Sequence, residues 1–179
     1  MNKGYTLVEV LVSIMIFSII SVAAFSIFSS AIRIQKYSLA SQQLLGQTSY
    51  AVEYMSRAFR MAKRAEDSNC IDVNTNYENP QHNDTKIKFI TYNGECVQFY
   101  LDNKQLKMNK DAELAIPLTS DNFEVTNLKF EIVGEESILL GDDNQPKVTL
   151  FMEIEGKGSS DFQPKMKIQT TLSQRNLDL

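Results

Sequence analysis

Histidine occurs once in this chain, cysteine twice, and proline not at all before Pro80. Each scarcity removes a class of function. His82 stands alone in a polar stretch, so no imidazole is available to activate a Ser or Cys nucleophile. It reads as a solvated residue rather than as a base or ligand. No glycine-rich phosphate loop and no nucleophile elbow occurs. Two cysteines without other ligands make no metal site of recognisable type. An enzymatic role has no residue-level support, and no cofactor is implied. Net positive charge is also missing. The whole chain carries −4, and from Gly46 onward 15 Lys and Arg stand against 21 Asp and Glu, a net of −6. That balance argues against broad nucleic-acid binding, and only residues 57–64 are locally basic.

What is present is concentrated at the start. From Val10 to Ile32 there are 23 residues with no charge, no Pro and no Gly. As a helix this run is long enough to cross the ~30 Å hydrocarbon layer of a bilayer. Glu9 is the anomaly. A carboxylate at the edge of a membrane-spanning segment costs roughly a few kcal/mol unless it meets a partner or lies near the interface. Lys3 lies on one side of the run and Arg33 and Lys36 on the other, so charge bias does not set its orientation.

A short basic leader ending in Gly4, the aromatic Tyr5, and Glu9 four residues further on resemble the start of type IV prepilins and pseudopilins. The resemblance implies that a prepilin peptidase cuts after Gly4. It also implies that Tyr5, standing where the family usually has Phe, becomes the N-methylated first residue. Glu9 maps onto the family's glutamate, which pairs with the α-amine of a neighbouring subunit. Two plainer readings compete. A signal anchor would explain the apolar run but not Gly4 and Glu9 together. A cleaved secretory signal could use Ser21-Val22-Ala23, but it would place Glu9 inside its apolar region and leave nine further apolar residues after the cut.

Beyond the run, Leu39, Leu44, Leu45, Thr48, Ala51, Val52, Met55, Phe59 and Ala62 recur at three- and four-residue steps and mark one apolar face. Gly46 is the one glycine between Tyr5 and Gly94. The pattern predicts one helix from about Thr6 to Ala65, open to loosening at Gly46 and about 90 Å long. Residues 66–85 read as a connecting loop. Lys86–Tyr92 and Glu95–Leu101 read as a hairpin, with Asn93-Gly94 at the two φ > 0 positions of a type I′ turn. Strands are further predicted at Gln105–Met108, Glu124–Val133, Lys147–Glu155 and Lys165–Ser173. The class is α+β.

With the resemblance, this becomes a lollipop-shaped pilin. Its expected parts are a leader at 1–4, a membrane and filament-core helix at 5–33, an amphipathic continuation at 34–65, and an extracytoplasmic antiparallel β-domain at 66–179. The layout of Leu114–Leu118, the later strands and the closing Arg175-Asn176 pair resembles J-type minor pseudopilins and W-type minor pilins. Major pilins often carry Gly and Pro inside the N-terminal helix; this chain has neither from Tyr5 to Leu45, which favours a minor subunit. The implied partners are other pilin or pseudopilin subunits, the prepilin peptidase and methyltransferase, and an inner-membrane assembly platform. The implied location is a single-pass inner-membrane precursor and then an extracytoplasmic filament. Alternatives are a membrane-anchored binding module and a DNA-uptake minor pilin.

Outside the cytoplasm, Cys70 and Cys96 could form a disulfide, two unpaired thiols being the alternative. Gly141-Asp142-Asp143-Asn144 lacks the spaced ligand register of a calcium loop and reads as a turn. Arg57, Arg60, Lys63 and Arg64 read first as a solvated helix face, with DNA contact the second reading.

Overall fold

Among the described residues one helix precedes eight strands: α1 (Leu7–Arg60), β1 (Ala62–Lys63), β2 (Lys86–Thr91), β3 (Cys96–Asp102), β4 (Gln105–Lys110), β5 (Ile116–Pro117), β6 (Phe123–Val133), β7 (Lys147–Gly156) and β8 (Lys165–Ser173). The computed structural model describes residues 4–67, 69–80, 83–111, 113–136, 144–157 and 163–175. The fold is α+β, as the sequence pattern predicts. Its strands form two antiparallel sheets, ordered β1-β2-β3-β4-β5 and β6-β7-β8. By internal contact the chain divides into Met1–Leu39 and Ala40–Leu179.

In the first unit every residue from Gly4 to Leu39 except Ser29 is exposed. The second unit has a single main core. Leu44, Ala51, Met55 and Phe59 from α1 meet the inward residues of both sheets there. Leu39 and Leu45, placed on the apolar face by periodicity, are instead exposed. Phe59 is the hub: its ring lies 5.3 Å from Phe89, 5.5 Å from Phe99 and 6.1 Å from both Tyr77 and Phe130. One helix residue thus touches β2, β3 and β6 together.

The helix stops earlier than its periodicity predicts. It ends at Arg60, and Ala62 and Lys63 pair with Thr91 and Ile90 as strand β1. No Gly or Pro forces this. The last carbonyls find tertiary donors instead of a further helical turn. The Tyr77 hydroxyl donates to the Phe59 carbonyl at 2.8 Å, and the Arg175 N–H donates to the Arg60 carbonyl at 3.0 Å. Those bonds satisfy acceptors that a helix end otherwise leaves open.

The β2–β3 turn also differs in type from the expected one. Gly94 has φ +84°, but Asn93 is not among the residues with positive φ. Gly94 N–H donates to Thr91 C=O and Thr91 N–H to Glu95 C=O, both at 2.9 Å. This is a three-residue loop closed by a glycine bulge. The two-residue turn with positive φ at both positions lies at the β3–β4 junction, on Asn103 (50°) and Lys104 (61°). In β6 the inward residues are Phe123 and Val125, then Leu128 and Phe130. A spacing of three would flip the second pair outward, and the register shift between Val125 and Asn127 absorbs the extra residue.

Candidate functional site

Of the residues singled out at the N-terminus, Glu9 forms one small structure with Thr6, and Tyr5 adjoins it. Thr6 immediately precedes helix α1, and Glu9 is its third residue. Glu9 N–H donates to Thr6 Oγ1 at 3.3 Å, while the Thr6 N–H and hydroxyl both donate to Glu9 Oε2 at 3.4 Å. This reciprocal arrangement is a capping box, Thr-x-x-Glu, in which cap and third residue each satisfy the other's backbone donor. The carboxylate also lies at the positive end of the helix dipole. Sequence reasoning singled out Glu9 but not Thr6; the Thr-x-x-Glu spacing ahead of an apolar run was the available signal.

Tyr5, next to the box, is 83% exposed. Tyr5, Glu9, Val10, Ser13, Ile14 and Phe17 line a shallow groove along the first turns. Two hydroxyls of the first turns are satisfied within the helix. Ser13 Oγ donates to Glu9 C=O at 2.7 Å and Ser18 Oγ to Ile14 C=O at 2.8 Å. A hydrocarbon environment requires this, since an unpaired polar group there has no water to bond. The helix is long and apolar enough to cross a membrane. A contiguous apolar surface of this extent marks a segment to be covered by lipid or protein.

The other singled-out residues lie elsewhere. Cys70 and Cys96 form a disulfide with Cα atoms 5.6 Å apart, tying the segment after β1 to the first residue of β3. The basic residues do not share one helix face. Arg57 and Arg60 are exposed in the last turns of α1, Arg57 being paired with Glu53. Lys63 lies on β1 and Arg64 beyond it, both half-buried. His82 and residues 141–143 of the acidic turn lie outside the described residues. Among the described residues no group of three or more His, Cys, Asp or Glu side chains could hold a metal ion.

Residues 1–25 match the family described as the prokaryotic N-terminal methylation motif. No curated protein and no solved structure matches the chain. The motif and the long apolar helix support a type IV pilin-like precursor, anchored in a membrane and carrying an extracytoplasmic domain. Such a motif implies processing by a prepilin peptidase and assembly with other pilins.

Proposed function

We propose that this chain is a structural subunit of a type IV pilin-like filament, a minor pilin or minor pseudopilin, cut after Gly4 and methylated on Tyr5. In this reading residues 5–33 enter first the inner membrane and then the filament core. Residues 34–65 continue from it, and residues 66–179 form the extracytoplasmic domain. The observation that carries the reading is the Thr6–Glu9 capping box beside an exposed Tyr5, at the head of an apolar helix. Minor status draws its support from the absence of Gly and Pro between Tyr5 and Leu45.

The box gives the assembly step a physical form. In a single subunit the Glu9 carboxylate accepts from two neutral donors, both at 3.4 Å, near the long end of hydrogen-bond geometry. Cleavage creates an ammonium on Tyr5. A charge-assisted bond from a neighbour's ammonium is shorter and roughly twice as strong as a neutral one. Glu9 therefore exchanges weak internal donors for a charged external one, which compensates two charges in low dielectric and favours one axial register between subunits. Glu9→Ala is expected to leave the β-domain folded and to reduce incorporation into sheared filaments; normal incorporation would count against this role. The test of the whole reading is mass spectrometry of the N-terminal peptide from membrane-extracted native protein. A chain beginning at methylated Tyr5 supports it, and one beginning at Met1 or near Ala24 overturns it.

A further inference from the structure

The two sheets have four edges, and three of them are short or occupied. At the edges of the five-stranded sheet, β1 and β5 are two residues each, and β5 contains Pro117. The outer edge of β6 is occupied: Phe130 N–H donates to Asp84 C=O at 2.7 Å and Val125 N–H to Lys104 C=O at 2.8 Å. These are the usual means by which a sheet avoids recruiting stray strands. The fourth edge, β8, is neither short nor broken by Pro nor covered by a described strand, and its charged residues are Lys165 and Lys167. It runs nine residues, contains no Pro, and pairs with β7 without a bulge from Glu155↔Lys165 to Lys147↔Ser173. Among the described residues no strand lies on its far side.

The phase of the ladder identifies the open groups. Gly156 N–H donates to Pro164 C=O and Gln174 N–H to Pro146 C=O, each at 2.9 Å, at the two ends of the β7–β8 pair. In an antiparallel pair such hydrogen-bonded positions recur at every second residue. The even-numbered residues of β8 therefore bond β7. The N–H and C=O groups of Lys165, Lys167, Gln169, Thr171 and Ser173 point away from it. On the core side Met166 and Ile168 are only partly covered. On the other face Lys165 and Lys167 each reach one carboxylate of β7, Glu155 and Glu153, at 2.8 Å. An ammonium has three donors, so each retains capacity for a second acidic partner.

We propose that the outer edge of β8 takes up an extended segment of a partner polypeptide as a fourth, antiparallel strand. The segment carries apolar side chains opposite Met166, Ile168 and Leu172, and carboxylates opposite Lys165 and Lys167. Main-chain bonds supply the affinity, and the alternating side chains with the acidic end supply the specificity. This goes beyond subunit status and does not depend on it, because it is testable on the purified chain whether or not leader cleavage occurs.

The probe is a nine-residue amidated peptide, Thr-Val-Thr-Val-Thr-Val-Glu-Val-Glu, carrying fluorescein on its N-terminus and titrated against the full-length chain in detergent micelles. Fluorescence anisotropy reads binding, and amide hydrogen exchange reads β8. The amides of Lys167, Gln169 and Thr171 are expected to exchange rapidly in the free chain and at least tenfold more slowly with peptide. Replacing both peptide Glu by Lys is expected to weaken binding at least threefold. Thr171→Pro removes an outward N–H and spares the β7 ladder; it is expected to weaken binding at least tenfold. Should that variant fail to fold, the exchange measurement on the unaltered chain decides alone. Slow exchange in the free chain would mean that another part of this chain covers the edge. Protection that rises with protein concentration alone would mean a second copy does. Either outcome, or binding unaffected by Thr171→Pro, overturns the proposal.

Discussion

Removing one oxygen atom from the core, by Tyr77→Phe, tests how the long helix is terminated. Tyr77 is fully buried, and its hydroxyl donates to the Phe59 carbonyl at 2.8 Å. The substitution keeps the ring, and with it the edge-on contact to Phe59 at 6.1 Å and the contact to Phe89 at 6.1 Å. The cost therefore falls almost wholly on the carbonyl, which sits at the helix end and loses this donor. An unsatisfied buried acceptor costs about 1–3 kcal/mol, against a net gain of about 1 kcal/mol for a typical made bond. For a unit of this size the midpoint should fall by roughly 4 °C per kcal/mol, giving about 4–12 °C. The assay is urea and thermal unfolding of the full chain in a mild detergent, followed by circular dichroism. The denaturant slope should stay constant while the midpoint drops. A change below about 0.5 kcal/mol, less than half the expected minimum, would show that this bond does not hold the helix end.

Three further outcomes are expected. Reducing the Cys70–Cys96 disulfide, or replacing both residues by Ser, releases a loop of 26-residue separation; the chain-entropy relation puts the loss at about 3.5 kcal/mol, readable as a urea midpoint with and without reductant. Gly134→Ala places a Cβ 2.8 Å from the Asn144 carbonyl oxygen and 2.9 Å from Pro146 Cα at φ +74°, so a thermal scan should show a loss of at least about 1–3 kcal/mol from backbone strain. Glu124 accepts from Lys104 Nζ at 2.8 Å, and this bond holds its carboxyl below the ordinary glutamate range. Its contribution to stability is thus present above the ordinary glutamate range and lost as pH falls through the lowered value; carboxyl NMR titration should find that lowered midpoint, and Lys104→Gln should move it upward.

The residues whose reading required only local physics were legible. The apolar run needed nothing but its length. The β6, β7 and β8 segments show period-two burial that the bulge at Thr126 interrupts without destroying. Glu9 was conspicuous because it is a charge beside an apolar run. Thr6 was not, because its role exists only relative to Glu9. The β2–β3 turn departs from the expected type for a related reason: Asn-Gly suits two loop lengths, and the bond between Thr91 and Glu95 selects the longer.

By itself the sequence determined the helix start, its apolar segment, the α+β class and most strand positions, since each follows from periodicity, capping or the absence of breakers within a few residues. Tertiary structure decided where α1 ends, which strands share a sheet, and which edge stays open. Ala62 suits a helix face as well as a strand, and only the partners offered by Ile90, Thr91, Tyr77 and Arg175 select between them. Local propensity differs by fractions of a kcal/mol per residue between such states, whereas buried hydrogen bonds are worth more when made and cost more when lost.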